Sequence, residues 1–123
     1  MKKFKQLDFI RINQKNRGDL QIYNFNQYSV KRIFNIYGKK HENRGNHAHK
    51  ETSQIFICLK GEVKISLSVK NKNMNFNLNQ FSKPLLVYPK VWISITFKKI
   101  GILSVLCDKK YIKSDYIYDF KDI

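Results

Sequence analysis

His47 and His49 stand two residues apart in the stretch NRGNHAHKETSQ, and no other residues of this chain are so well placed by type and spacing to do chemistry. In an extended segment, side chains at i and i+2 share one face, so both imidazoles can meet one ligand while Ala48 turns away. Three uses are open to such a pair. It can ligate a metal, it can divide general acid and general base work near neutral pH, or it can be two solvated surface histidines.

The elements that must hold the pair are strands. Apolar and polar residues alternate with period two in DFIRIN, DLQIYNF, SVKRIFNIY, QIFICL, EVKISLSV, MNFNLN, PLLVY, WISITF and ILSVLC, the pattern of half-buried strands. Turn residues punctuate them: Arg17-Gly18, Gly38, Lys60-Gly61, KNKN at 70–73, Pro84, Pro89 and Gly101. No segment keeps a helical period over a dozen residues. Many short strands at close spacing predict an all-β fold, an antiparallel sandwich, jelly roll or barrel. The 123 residues suffice for one domain with its own core, so the expectation is a single domain over 1–123. The tyrosine-rich end, DKKYIKSDYIYDFKDI, reads as a short helix or an edge strand outside the barrel.

Composition narrows the partners less than its size suggests. A formal net charge of +15 suits nucleic acid, an anionic membrane face or a small polyanion such as a nucleotide diphosphate. The lysines are scattered in ones and twos without a block or a recognisable motif, which argues against nucleic acid. Cys58 and Cys107 each sit in an apolar run and read as reduced core residues. The first residues carry charge but no apolar h-region, and no apolar run approaches a spanning length, so the expectation is a cytoplasmic protein with no membrane partner.

From His47 onward the spacing is His-x-His, four residues, Gln54, six residues, Gly61. This outline resembles the first motif of the cupin superfamily, whose glutamate and later histidine complete a metal site. Here Gln54 offers a neutral carbonyl, a poor substitute for a carboxylate, and YPKVWISITF supplies Trp92, Ile93 and Ser94 in place of the later histidine. Two histidines fall short of the three protein ligands a catalytic metal usually needs. The expectation is therefore no metal and no other cofactor.

RGNHAHKETSQIFICLKGEVKISL, with RGDL at Arg17-Gly18, VKRIFNIY before the motif, YPKVW after it and CDKKYIKSDYI near the end, resembles the dTDP-sugar 3,4-ketoisomerases over nearly the whole chain. These are small cupin-type jelly rolls that act without metal on dTDP-4-keto-6-deoxyglucose. The resemblance implies a dTDP-sugar substrate and a 3-keto product destined for transamination to a 3-amino-3,6-dideoxy sugar. It also implies a homodimer, with FKQLDFIRIN as the exchanged N-terminal segment. Moving a ketone from C4 to C3 takes a proton from C3, passes through an enediol, and returns a proton to C4. The resemblance assigns His49 as the carbon base and His47 as the shuttle between the oxygens.

Arg44 is a permanent cation three residues before His47, suited to enediolate charge or to the diphosphate. Tyr37 is the further catalytic candidate near the sugar. Arg17-Gly18 resembles the turn that goes with a product of galacto configuration, or it is an ordinary turn pair. Gln54 is a substrate hydrogen-bond donor or a satisfied core amide, and Trp92 stacks on base or sugar or belongs to the core. A cupin 3,5-epimerase, a metal cupin oxygenase and a non-catalytic basic binding module are the competing readings.

Overall fold

In the computed structural model, which describes residues 3–123, the alternating runs form strands β1 Phe4–Gln6, β2 Ile10–Gln14, β3 Gly18–Ile22, β4 Arg32–Gly38, β5 Asn43–His49, β6 Gln54–Lys60, β7 Glu62–Val69, β8 Lys72–Asn79, β9 Leu85–Val87, β10 Trp92–Phe97, β11 Gly101–Cys107 and β12 Tyr116–Ile117. Ten of them make two five-stranded sheets, in the orders β1-β9-β6-β11-β4 and β12-β5-β10-β7-β8. The chain changes sheet at every step from β4 to β7 and again at every step from β8 to β12. Every pairing is antiparallel. This is the all-β jelly roll that the alternation predicts.

The period of two explains the core. β7 turns Val63, Ile65 and Leu67 inward and β10 turns Ile93, Ile95 and Phe97 inward, against Phe56, Leu103, Val105 and Cys107 of the other sheet. Each such side chain contributes about 1.5–3 kcal/mol relative to exposure. β6 breaks the alternation because both its faces are covered. Ile55 and Ile57 point out of the barrel but lie with Leu86 under Tyr23, Phe25 and Tyr28. The Tyr28 hydroxyl closes that flap on the carbonyls of Ser53, at 2.7 Å, and Leu106, at 2.9 Å. Cys58 and Cys107 are free and buried.

Both chain ends depart from a simple barrel. β1 is built into its own chain's sheet, with Phe4 opposite Val87, so only the part of FKQLDFIRIN beyond β1 is left over for exchange. β2 and β3 pair with each other alone, and their shared apolar face, Ile10, Ile12 and Leu20, is exposed. At the other end, a 3-10 turn at Lys113–Asp115 leads into β12, an edge strand beside β5. Among the described residues no helix is long and apolar enough to cross a membrane.

Candidate active site

β5 carries the histidines, and its pairing with β10 is irregular. Ile93 lies opposite His47 and Ser94 opposite Gly45, so Asn46 is an extra residue. Asn46 and Gly45 take left-handed backbone, with φ of 60° and 89°, which makes this a β-bulge. Its effect is on direction. Strict alternation would put Arg44, three residues before His47, on the opposite face. The extra residue sets Arg44 opposite Ile95, so its side chain joins His47 on the inner face. Asn43 then faces out and donates to Ser94 Oγ at 3.1 Å and Thr96 Oγ1 at 3.0 Å. Only glycine suits position 45: besides its φ, a Cβ would stand 2.9 Å from the Ile93 carbonyl oxygen.

Inside the barrel, Arg44, His47, Gln54 and Tyr116 line a cavity of about 170 Å³ whose other walls include Phe56, Ile93 and Ile95. Gln54 is 3 % exposed, and its amide donates to Cys107 Sγ at 3.5 Å. Across the β5–β10 ladder, His47 is paired with the apolar Ile93. The residues lining the cavity include no third imidazole, and among the described residues no group of three or more His, Cys, Asp or Glu could hold a metal ion. These donors do not fit the three-ligand pattern of a catalytic metal.

His49 is 2 % exposed and lies behind His47, with ring centroids 5.1 Å apart. Its Nδ1 is 2.8 Å from Asp115 Oδ2. Asp115 is fixed in turn by the Thr52 hydroxyl, at 2.6 Å, and by the backbone N–H of Glu51, at 2.7 Å. Burial pushes the Asp115 carboxyl up, but hydrogen bonds from Thr52, His49 and Glu51 outweigh it and hold the group below the ordinary carboxylate value. Burial pushes His49 down, Asp115 opposes, and the charges of His47 and Arg32 reinforce the burial. His47 is also lowered by burial, against a hydrogen bond to the Gly45 backbone. Near neutral pH the pair is an ionised carboxylate and a neutral imidazole. A carboxylate only accepts, so Nδ1 carries the proton and Nε2 keeps its lone pair. That Nε2 is buried and has no hydrogen-bond partner.

Tyr116 pairs with His49 across β12 and β5 and shares its face. Its ring centroid is 4.4 Å from that of His49 and 5.0 Å from that of His47. Arg32, on the inner face of β4 with Phe34 and Ile36, donates from Nη1 to the Tyr116 hydroxyl at 3.4 Å.

Of the residues singled out in the sequence, His47, His49, Gln54 and Arg44 come together. Tyr37 does not. It is 71 % exposed on β4 because Ile36, its neighbour, faces inward, and alternation turns the phenol out of the barrel. Trp92 is likewise on the outer face, since Ile93 lines the cavity, and it packs edge-on against Phe120 at 5.8 Å. Arg17 and Gly18 belong to the exposed turn that closes the β2–β3 hairpin, and neither lines this cavity. The sequence assigns no chemistry to Arg32, Thr52 or Asp115, and reads Tyr116 as packing the C-terminal segment. A buried histidine needs an orienting acceptor, but nothing in the sequence says which carboxylate folds back to it.

The chain matches the family model FdtA, WxcM-like, C-terminal, over residues 2–123. It is 32 % identical over 95 residues, 76 % of this chain and 68 % of the relative, to the TDP-4-oxo-6-deoxy-alpha-D-glucose-3,4-oxoisomerase of Aneurinibacillus thermoaerophilus. Among solved structures it is similar to a single-residue variant of the 3,4-ketoisomerase QdtA from Thermoanaerobacterium thermosaccharolyticum in complex with TDP-4-keto-6-deoxyglucose. The identity is 29 %, the TM-score 0.90, and 99 % of this chain and 91 % of that one are covered. WlaRA, a TDP-fucose-3,4-ketoisomerase from Campylobacter jejuni, is 32 % identical with a TM-score of 0.85, covering 97 % of this chain and 91 % of that one.

Proposed function

This chain belongs to the FdtA family (WxcM-like, C-terminal), and on that footing we propose that it converts dTDP-4-keto-6-deoxyglucose into its 3-keto isomer. It is an isomerase, as its named relatives are. The observation that carries the reading is His49, neutral, oriented by Asp115 through Nδ1 and left with a free Nε2 beside a second imidazole. Such a group is the base that an α-keto proton needs.

The cavity holds a sugar ring and leaves the nucleotide outside, which puts the diphosphate at the mouth within reach of the exposed Arg44 fork. His49 takes the C3 proton and returns it at C4, while His47 handles the oxygen protons. Gln54 offers its amide to a sugar hydroxyl. The product serves a later transamination at C3. Its C4 configuration is galacto if the Arg17-Gly18 turn governs the face of protonation.

A homodimer brings that turn to a site, with the exposed β2–β3 hairpin as the exchanged element. In support, Ile10, Ile12 and Leu20 leave an apolar face uncovered, and Ile33 and Leu59 do the same on the outside of the sheet holding β4 and β6. The two free thiols suit a cytoplasmic setting.

The test is direct NMR observation of dTDP-4-keto-6-deoxyglucose with the purified protein. A 3-keto product supports the reading. A product with the ketone still at C4 and inverted at C3 or C5 identifies an epimerase instead, and unchanged substrate with folded protein overturns both.

A further inference from the structure

Shifting the ketone moves protons on oxygen as well as on carbon, and His47 is poorly equipped to serve both oxygens. Its ring is half-buried and packed against the His49 and Tyr116 rings, at 5.1 and 5.0 Å, so one confined imidazole would have to serve both O3 and O4. Tyr116 is the tyrosine that lines the cavity beside it. Tyr111 and Tyr118 are exposed and pack against the Tyr116 ring, Tyr118 stacked and Tyr111 tilted, each with centroids 5.8 Å away. Tyr37 faces away altogether.

The Tyr116 oxygen has a cation on it. Arg32 donates from Nη1, lies over the Phe34 and Tyr111 rings at 5.7 and 5.6 Å, and keeps a buried Nε that has no partner. No carboxylate pairs with Arg32 among the described residues. A half-buried guanidinium without a counter-ion is costly. It is of use where negative charge develops during a reaction, and an arginine-held phenol is such a place.

We propose that Tyr116 is a third proton carrier of this site, the acid that protonates O4, with Arg32 stabilising its phenolate. The proposal rests on the ketoisomerase reading and deepens it. His49 removes the proton from C3, and the C–H electron pair becomes the C3–C4 double bond as the C4 carbonyl electrons move to O4. Tyr116 gives its proton to O4, producing the neutral enediol. His47 then takes the proton from O3 as the C3 carbonyl forms, and C4 recovers a proton from His49. What remains is a Tyr116 phenolate beside a His47 imidazolium, and one proton passed from His47 to Tyr116, directly or through water, restores both.

The steps on carbon and on oxygen can be separated in D2O. With wild-type protein, NMR should show deuterium entering C3 of the 4-keto sugar and the 3-keto product accumulating. Tyr116→Phe keeps the ring stack and should still exchange C3 within about threefold of wild type, while product formation falls by about 10²-fold or more. Arg32→Gln should show the same split more weakly, and Arg32→Lys, which keeps the cation, should restore most of the isomerisation. Melting curves establish that each variant is folded. A folded Tyr116→Phe that isomerises within threefold of wild type overturns the proposal. So does one that loses exchange and isomerisation in equal measure, because the phenol would then serve binding or the carbon step. Wild type showing neither exchange nor product would instead remove the ketoisomerase reading itself.

Discussion

His49 Nδ1 lies 2.8 Å from Asp115 Oδ2, a contact that joins β5 to the 3-10 turn before β12 across 66 residues of sequence. It fixes the tautomer of His49 and leaves Nε2 as the basic nitrogen. His49→Asn, which cannot take a proton, should lower kcat by about 10³-fold or more with an unchanged far-UV circular dichroism spectrum. Turnover near the wild-type rate would show that the carbon base is elsewhere.

Asp115→Asn keeps the shape but can present its amide N–H to Nδ1, which favours the opposite tautomer. kcat should fall by about 10²-fold or more. The unfolding free energy should also drop by about 1–3 kcal/mol, since the carboxylate that Thr52 and the Glu51 N–H now share is lost. A stability loss with unaltered kcat would make Asp115 a purely structural residue.

The pH dependence follows from the direction of the shifts. His49 and His47 lie below the ordinary imidazole value of 6.5 in the fold, mainly through burial, so kcat/KM should hold down to pH 6.5 and fall only at lower pH. The same shifts act on stability. Between 6.5 and the folded pKa the unfolded chain binds more protons, so the fold weakens as pH falls through that window. Asp115, held below its ordinary 3.8, adds a contribution that is present above that value and lost as pH falls through the folded pKa. Melting temperatures taken from pH 7.5 downward should therefore decline from about pH 6.5. A melting temperature that rises on acidification would contradict the burial of both rings as neutral species.

The outward phenol supplies the control for the inward one. Tyr37→Phe should leave kcat and KM within about threefold of wild type, the scatter expected of a surface change. An equal loss in Tyr37→Phe and Tyr116→Phe would mean that the inner face of β4 does not face the sugar.

The hairpin predicts an assembly. Ile12 and Leu20 oppose each other on its uncovered face. Replacing both by Asp should halve the mass seen by light scattering, with little change in the melting of the monomeric barrel. A wild-type protein that is already monomeric at micromolar concentration removes the exchange reading.

The strands were legible because one face of each is buried, and burial writes itself into sequence as a period of two. The histidine pair was legible for the same reason. Tyr37 and Trp92 were singled out by residue type, and parity sets them on the outer face, because Ile36 and Ile93 occupy the inner positions. Asp115 and Tyr116 lay in a stretch matched by resemblance, but their roles depend on β12 returning to the edge of β5. A strand of two residues leaves no periodic trace. Arg32 was hidden among many cations, and only its partly buried position against the Tyr116 hydroxyl sets it apart.

The bulge at Asn46 divides β5 into two reading frames. C-terminal to it, odd-numbered residues face the inside of the barrel; N-terminal to it, even-numbered ones do. A charge-reversal scan along the strand should therefore show sensitivity at 49, 47 and 44, skipping two positions once. Removing Asn46 would take out the bulge and bring the frames into phase, leaving Arg44 opposite Ile95 and both histidines where they are. One unpaired residue, rather than any side chain's identity, is what lets an arginine three places before His47 share its face.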